Sequence, residues 1–211
     1  MTGLARHTLV WLAQPPHADS EQDGPLVAYW QAAGRPFVVC RRRGESDGLS
    51  LGFCAAHEKF PEIRPRRVGA RAPSAEVVRT AAPPALAEVA RCAPAADHAP
   101  AFARLAEGAV RAGLDLRVYG SWMWQALTGE RHVRPSSDLD LLARVDDLRQ
   151  AEDAAAVLED LESGLSFRLD GELSFAGLGE VQWREFRGSA PEVLLKAVDG
   201  VRMIRREALR P

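Results

Sequence analysis

VYGSWMWQALTGERHVRPSSDLDLL, Val118–Leu142, is the stretch on which the fold turns. An apolar strand, LRVYG, breaks at Gly120-Ser121 and continues as a short helix, SWMWQALTG. A polar loop follows, and the chain returns as a second strand, SDLDLLARV. Aspartate is a poor strand residue, yet Asp138 and Asp140 stand at i and i+2. They therefore project from one face while Leu139 and Leu141 project from the other. Two such carboxylates repel each other unless a cation sits between them. They match a hard divalent ion such as Mg²⁺, whose remaining positions go to water and phosphate oxygens. The upstream Gly-Ser turn offers backbone N–H groups and a positive helix end to a phosphate. Gly120 permits close approach there, and the Ser121 hydroxyl adds a donor.

Working outward, 211 residues allow one large domain or two small ones. A net charge of −2 gives no global basic field, so neither nucleic acid nor an anionic membrane is expected as a partner. Arg41, Arg42 and Arg43 form a local cluster, read either as a solvated strand end or as a phosphate patch. Cys40, Cys54 and Cys92 have no CxxC spacing and an odd count, which fits free thiols of a reducing compartment. No stretch approaches the roughly 20 apolar residues of a membrane helix, and MTGLARHTLVWLAQPP lacks the long apolar core and small-residue cleavage site of a signal peptide. The expected location is cytoplasmic.

The first third alternates short β-type runs with turn residues. HTLVWL, PFVVCRRR, LSLGFC and RPRRVGARAP read as strands, PLVAYWQAAG as a short helix and GESDG as a turn. The Pro- and Ala-rich stretch from Ala72 to Pro84 reads as a linker. Beyond it, APAFARLAEGAVRAG and DDLRQAEDAAAVLEDLESG have helical spacing. SFRLDGELSF and GEVQWREF read as a hairpin, and SAPEVLLKAVDGVRMIRREAL as a closing helix with Ser189 at its N-cap and Pro191 near N1. The expectation is an α+β (mixed α/β) protein. A β-rich N-terminal domain with linker spans 1–84, and a mixed sheet flanked by helices spans 85–211.

The order strand, Gly-Ser, helix, loop, strand with Asp-x-Asp resembles the nucleotidyltransferase superfamily of the DNA polymerase β type. The resemblance implies that Asp138 and Asp140 bind one or two Mg²⁺ ions with a third carboxylate from a later strand. Asp170 and Glu172, on one face of RLDGELSF, are the candidates, with Glu185 in reserve. GSWMWQALTG, SDLDLL, the DGE strand, WRE and EVLLKAVDGVRMI together resemble one branch, the malonate decarboxylase holo-acyl-carrier-protein synthases. RHTLVWL and RPFVVCRRR extend that likeness over most of the chain. These phosphoribosyl-dephospho-CoA transferases use 2′-(5″-triphosphoribosyl)-3′-dephospho-CoA and a serine of the apo acyl carrier subunit of malonate decarboxylase. They release pyrophosphate. Two other readings compete: a nucleotidyltransferase adenylylating another small molecule or protein, and a non-catalytic protein-binding module on a degenerate fold.

Individual residues carry further expectations. Aromatics at helical spacing are more often core than ligand platform, but of Trp122, Met123 and Trp124, Trp122 is the one expected to face the donor. Gln125 either binds substrate or points to water. His132 and Arg134 lie on the loop before the acids, and His132 reads as structural or solvent-facing rather than catalytic. Ser137 either shapes the turn or touches a phosphate. Lys196, amid apolar neighbours, either snorkels to solvent or points at the triphosphate, and the resemblance implies the second. Arg66 and Arg67 read as surface residues or as part of a basic strand near the acidic carrier protein.

Overall fold

A computed structural model describes residues 3–42, 48–57, 63–92 and 96–210. The turn expected at GESDG and the Arg43 end of the arginine cluster lie outside those residues, apart from Gly48. The chain forms two six-stranded sheets, one in each half. With the flanking helices they make a mixed α+β protein.

The N-terminal half contains β1 (Leu9–Leu12), β2 (His17–Ala18), α1 (Gly24–Ala32), β3 (Phe37–Val39), β4 (Leu49–Ala55), β5 (Arg66–Ala72) and β6 (Val77–Ala81). Its strands run β2-β5-β4-β3-β1-β6, each pair antiparallel. Helix α1 buries Val27 and Trp30 against one face. The Trp30 ring stacks on Phe53 at 4.2 Å, and its indole N–H donates to the Pro36 carbonyl at 2.8 Å, so the polar end of a buried aromatic is satisfied.

The stretch read as a linker holds a strand instead. Val77–Ala81 is β6, paired to β1 at the sheet edge, with Arg79 stacked over the Trp11 ring. All but Val77 of its residues are exposed. An edge strand without a buried face has no period-two apolar pattern to betray it. Pro83 and Pro84 then lead into the second half, where the Pro84 carbonyl accepts from Val118 N–H.

That half contains α2 (Leu86–Val89), α3 (Ala99–Arg111), β7 (Leu116–Tyr119), α4 (Gly120–Thr128), β8 (Leu139–Val145), α5 (Leu148–Glu162), β9 (Leu169–Phe175), β10 (Gly179–Gln182), α6 (Trp183–Arg187), β11 (Glu192–Lys196) and β12 (Val201–Arg205). The strand order is β12-β11-β10-β9-β8-β7. Only β8 and β9 run parallel, joined by the crossover helix α5; the other pairs are antiparallel. The Asp147 carboxylate caps α5 by accepting from Gln150 N–H at 2.7 Å. Ala151, Ala154, Ala155, Leu158 and Leu161 form its buried stripe, spaced as a helix on a sheet requires.

Two sequence expectations fail here. The closing segment is not a helix but the hairpin β11–β12, turned by Ala197–Gly200. Val193, Leu195 and Ala197 alternate as buried positions, the period of a strand. The WREF part of the second hairpin strand is the short helix α6, capped by the Gln182 side chain. Among the described residues no helix is long and apolar enough to cross a membrane.

Helix α4 belongs to both halves. Trp122 packs in the C-terminal core, while Met123 and Trp124 pack in the N-terminal one. One short helix thus fixes the two sheets against each other.

Candidate functional site

A cleft of about 460 Å³ lies between the sheets. Strands β3 to β5 wall one side. Tyr119, Gly120 and Asp140 form the other, with Arg6, His7 and Lys196 at its margin.

The carboxylates are set by strand register. Asp140 pairs with Tyr119 on β7 and with Asp170 on β9, and Leu142 pairs with Glu172. Gly120 follows Tyr119 at φ +68°, a left-handed conformation that a side chain resists. A Cβ there would overlap the Asp140 carboxylate, so the phosphate-type turn and the acid are in direct apposition. Burial, then the charges of Asp170, Asp138 and Glu172, push the Asp140 carboxyl up to about 7, with Arg67 opposing. Asp138, just before β8, is more exposed and lies 3.6 Å from the Arg168 guanidinium. Asp170 receives only a 3.5 Å contact from the Gln182 amide. Asp138, Asp140 and Asp170 therefore stand near one another as hard oxygen donors, offset in part by Arg168 beside Asp138 and by Arg67. Those are the residues that could hold a divalent cation.

Glu172 is a different kind of acid. It is buried, and Lys196 Nζ donates to it at 2.6 Å, His7 Nε2 lies at 3.1 Å and Arg6 at 3.6 Å. Burial alone would raise its carboxyl; the His7 hydrogen bond, the Arg6 charge and Lys196 outweigh it and hold it at about 2. Glu180 beside it, raised by burial, takes a 2.7 Å bond from Arg6. His7, Glu172 and Glu180 bring their ligand atoms within 4.8 Å of one another, but Arg6 and Lys196 already balance these acids. His7 itself sits at φ +64°, and its ring lies 4.3 Å from that of Tyr119. Strained backbone of this kind is held only where the surroundings over-determine it.

The other candidates are distributed unevenly. Ser121 is half-buried at the start of α4. Lys196 lines the cleft but ends β11, not a helix. Trp122 does not face the cleft: it is buried against Phe102 and Phe167, whereas Trp124 and Met123 line it. Ser137 accepts from Arg134 N–H at 3.0 Å and so holds the turn before β8. Glu185 lies on α6 and accepts from Leu194 N–H at 2.6 Å, a bond that ties α6 to β11. Gln125 accepts from the N–H groups of His132 and Val133. His132 is fully buried, and desolvation holds its imidazole down at about 4, so it is a neutral core residue. Arg6, His7, Tyr119 and Arg67 reach the cleft without having been singled out as site residues. Tyr119, next to the Gly-Ser turn, and Arg67, in the basic strand RPRRVGARAP, carried a local signal; Arg6 and His7 did not.

Fold and site define a mixed α+β protein whose two sheets share one cleft, acidic on one wall. The chain belongs to the phosphoribosyl-dephospho-CoA transferase family. The family described as "Phosphoribosyl-dephospho-CoA transferase MdcG N-terminal domain" matches residues 5–83, and the corresponding C-terminal domain matches residues 85–207. A phosphoribosyl-dephospho-CoA transferase of Xanthomonas campestris pv. campestris (strain 8004) is 37% identical over 210 residues, 98% of this chain and 96% of that protein. Proteins of the same name from Bradyrhizobium diazoefficiens and Azotobacter vinelandii are 35% and 32% identical, covering 95% and 94% of this chain and 90% and 91% of their own. No solved structure matches the chain.

Proposed function

We propose that this protein transfers the phosphoribosyl-dephospho-CoA group from 2′-(5″-triphosphoribosyl)-3′-dephospho-CoA to a serine of the apo acyl carrier subunit of malonate decarboxylase. In this reading the serine oxygen bonds to the phosphorus next to the ribose. The bond from that phosphorus to the pyrophosphate oxygen breaks, and the hydroxyl proton is released. The observation that carries the reading is the apposition of Gly120 to Asp140, with Asp170 in register beside it, at a cleft built by both matched halves. A turn that admits a phosphate, packed on carboxylates that cations offset only in part, is the arrangement that metal-assisted phosphoryl chemistry needs. Residues 1–84 and 85–211 act in this reading as two domains sharing the donor site, in the cytoplasm, where Cys40, Cys54 and Cys92 stay free thiols.

The donor set Asp138, Asp140 and Asp170 fits Mg²⁺, because the raised Asp140 carboxyl marks negative charge that Arg67 and the Arg168–Asp138 pair offset only in part. When bound, the ion supplies Lewis-acid neutralisation of phosphate oxygens. The protein's own groups do the rest. Gly120 lets the triphosphate approach the backbone, Ser121 adds a donor, and Lys196 meets the charge on the departing pyrophosphate. Asp170 is the third carboxylate in this reading, and Glu172 instead anchors Lys196.

Mass spectrometry of the apo carrier, incubated with Mg²⁺ and either this donor or ATP, tests the proposal. The expected product is the carrier with the full prosthetic group, with ATP a poor substrate. Efficient adenylylation of the serine would favour a general nucleotidyltransferase instead.

A further inference from the structure

On the face that the N-terminal sheet turns to the cleft, two neighbouring positions carry no side chain. Val38 on β3 pairs with Gly52 on β4, and Gly52 pairs with Gly69 on β5, so the three form one row across three strands. Cys54 and Arg67, also register partners, form the next row, and Cys40 lies two residues beyond Val38. Strand alternation puts all six on one face, and all six line the cleft. The opposite face carries Phe37 and Phe53, packed in the core with Trp30. Glycine inside a strand weakens it and marks a place where something approaches the backbone closely. A Cβ on Gly52 would meet Cys40 Sγ and the Val68 carbonyl oxygen at 3.2 Å, so a side chain there is tight and requires those neighbours to shift.

Charge gives the trough a direction. Arg67 lines the same cleft as Gly120 and Asp140, on the opposite wall. Among the described residues it has no ion pair. Trp124 lines the cleft from the C-terminal side, opposite the wall that carries Cys54. The trough thus runs from the Val38–Gly52–Gly69 row past Arg67 toward Gly120.

We propose that this face seats the dephospho-CoA arm of the donor. Its adenosine–pantetheine portion lies over the Val38–Gly52–Gly69 row, flanked by the Cys40 and Cys54 thiols, and its triphosphate passes Arg67 to reach Gly120. The inference rests on the donor assignment above. It makes the N-terminal sheet the element that distinguishes this donor from a plain nucleoside triphosphate: the floor takes a long, thin substituent, and a larger side chain at Gly52 or Cys54 would block it.

The test uses 3′-dephospho-CoA, which lacks the triphosphoribosyl group, on the intact protein. Calorimetry first measures its Kd, alongside that of tripolyphosphate. At about ten times that Kd it should slow N-ethylmaleimide alkylation of Cys40 and Cys54 about tenfold, with Cys92, outside the cleft, as the unaffected control. Cys54→Leu should weaken dephospho-CoA about tenfold and leave tripolyphosphate binding unchanged; Arg67→Ala should do the reverse. Dephospho-CoA that binds yet protects neither thiol overturns the seat while the donor assignment stands. Failure of wild-type protein to bind dephospho-CoA at all, with ATP bound, removes the donor assignment itself. The alkylation arm needs no variant, so it decides the matter even where Cys54→Leu does not fold.

Discussion

Gly120 and Asp140 occupy the same space up to the limit of one hydrogen: the carboxylate fills the position a Cβ on residue 120 would take. Gly120→Ala should therefore push Asp140 aside as well as strain a backbone at φ +68°. The left-handed conformation alone costs about 1–2 kcal/mol for alanine. Displacing a catalytic group by about 1 Å can cost roughly 100-fold in rate. We expect a modest fall in Tm and a loss of that size in carrier modification, measured by mass spectrometry. A variant with wild-type transfer would separate the turn from the acid.

Asp140→Asn should abolish transfer and raise stability at neutral pH when divalent cations are chelated. The folded carboxyl, at about 7, lies above its ordinary 3.8. Its contribution to stability is fully present below pH 3.8 and is lost as pH rises through 7. The neutral asparagine escapes that loss, so the Tm gap between variant and wild type should open between pH 4 and 7. An upper bound for the gap is about 4 kcal/mol, given partial exposure. Mg²⁺ should narrow it by stabilising the wild type. A gap independent of pH would show that the charge cluster is already compensated.

Glu172→Gln should behave in the opposite way. Its carboxyl is held at about 2, below the ordinary 4.5, by His7, Arg6 and Lys196. The stability it supplies is present above pH 4.5 and lost as pH falls through 2. Breaking a buried ion pair by removing one partner costs about 3–5 kcal/mol. We expect a Tm drop of corresponding size at pH 7 that shrinks in acid. Asp170→Asn, in contrast, should keep or raise its Tm in the absence of divalent cations, lose transfer and lose the Mg²⁺-dependent rise in Tm. Metal-dependent stabilisation that survives Asp170→Asn and vanishes in Glu172→Gln would exchange the two roles.

Glu185→Gln should leave transfer near the wild-type rate, because a glutamine oxygen can still accept from Leu194 N–H. A severe loss of transfer with an unchanged melting curve would bring Glu185 back as a candidate third carboxylate.

Lys196→Met should raise the donor KM or slow turnover while carrier binding stays unchanged. Charge-assisted phosphate contacts are about twice as strong as neutral hydrogen bonds. Lys196→Arg, which keeps the charge near Glu172, should recover part of the donor affinity. Equal losses in both variants, with Tm unchanged, would mean that ammonium geometry rather than charge is what matters.

What the sequence determined by itself is what local chemistry determines. The strand, Gly-Ser turn, helix and Asp-x-Asp strand are written in consecutive residues, because a turn needs its glycine in place and a strand alternates its faces. Most strands and both long helices follow for the same reason. The closing segment reads as a helix because VLLKAV satisfies a helical spacing as well as a strand period, whereas it folds as a hairpin. The Asp-Gly of its turn, Asp199-Gly200, was the signal that separates the two. Tertiary structure decided the rest. Trp122 and Trp124 are two residues apart on one helix, and only the packing of two sheets around α4 sends the first into one core and the second to the cleft. Asp170 and Glu172 share a strand face, yet Glu172 meets Arg6 and His7, more than 160 positions earlier, and Lys196 from another strand. Asp170 meets Asp140. Charge compensation depends on which groups come together in space, and no spacing along the chain encodes it.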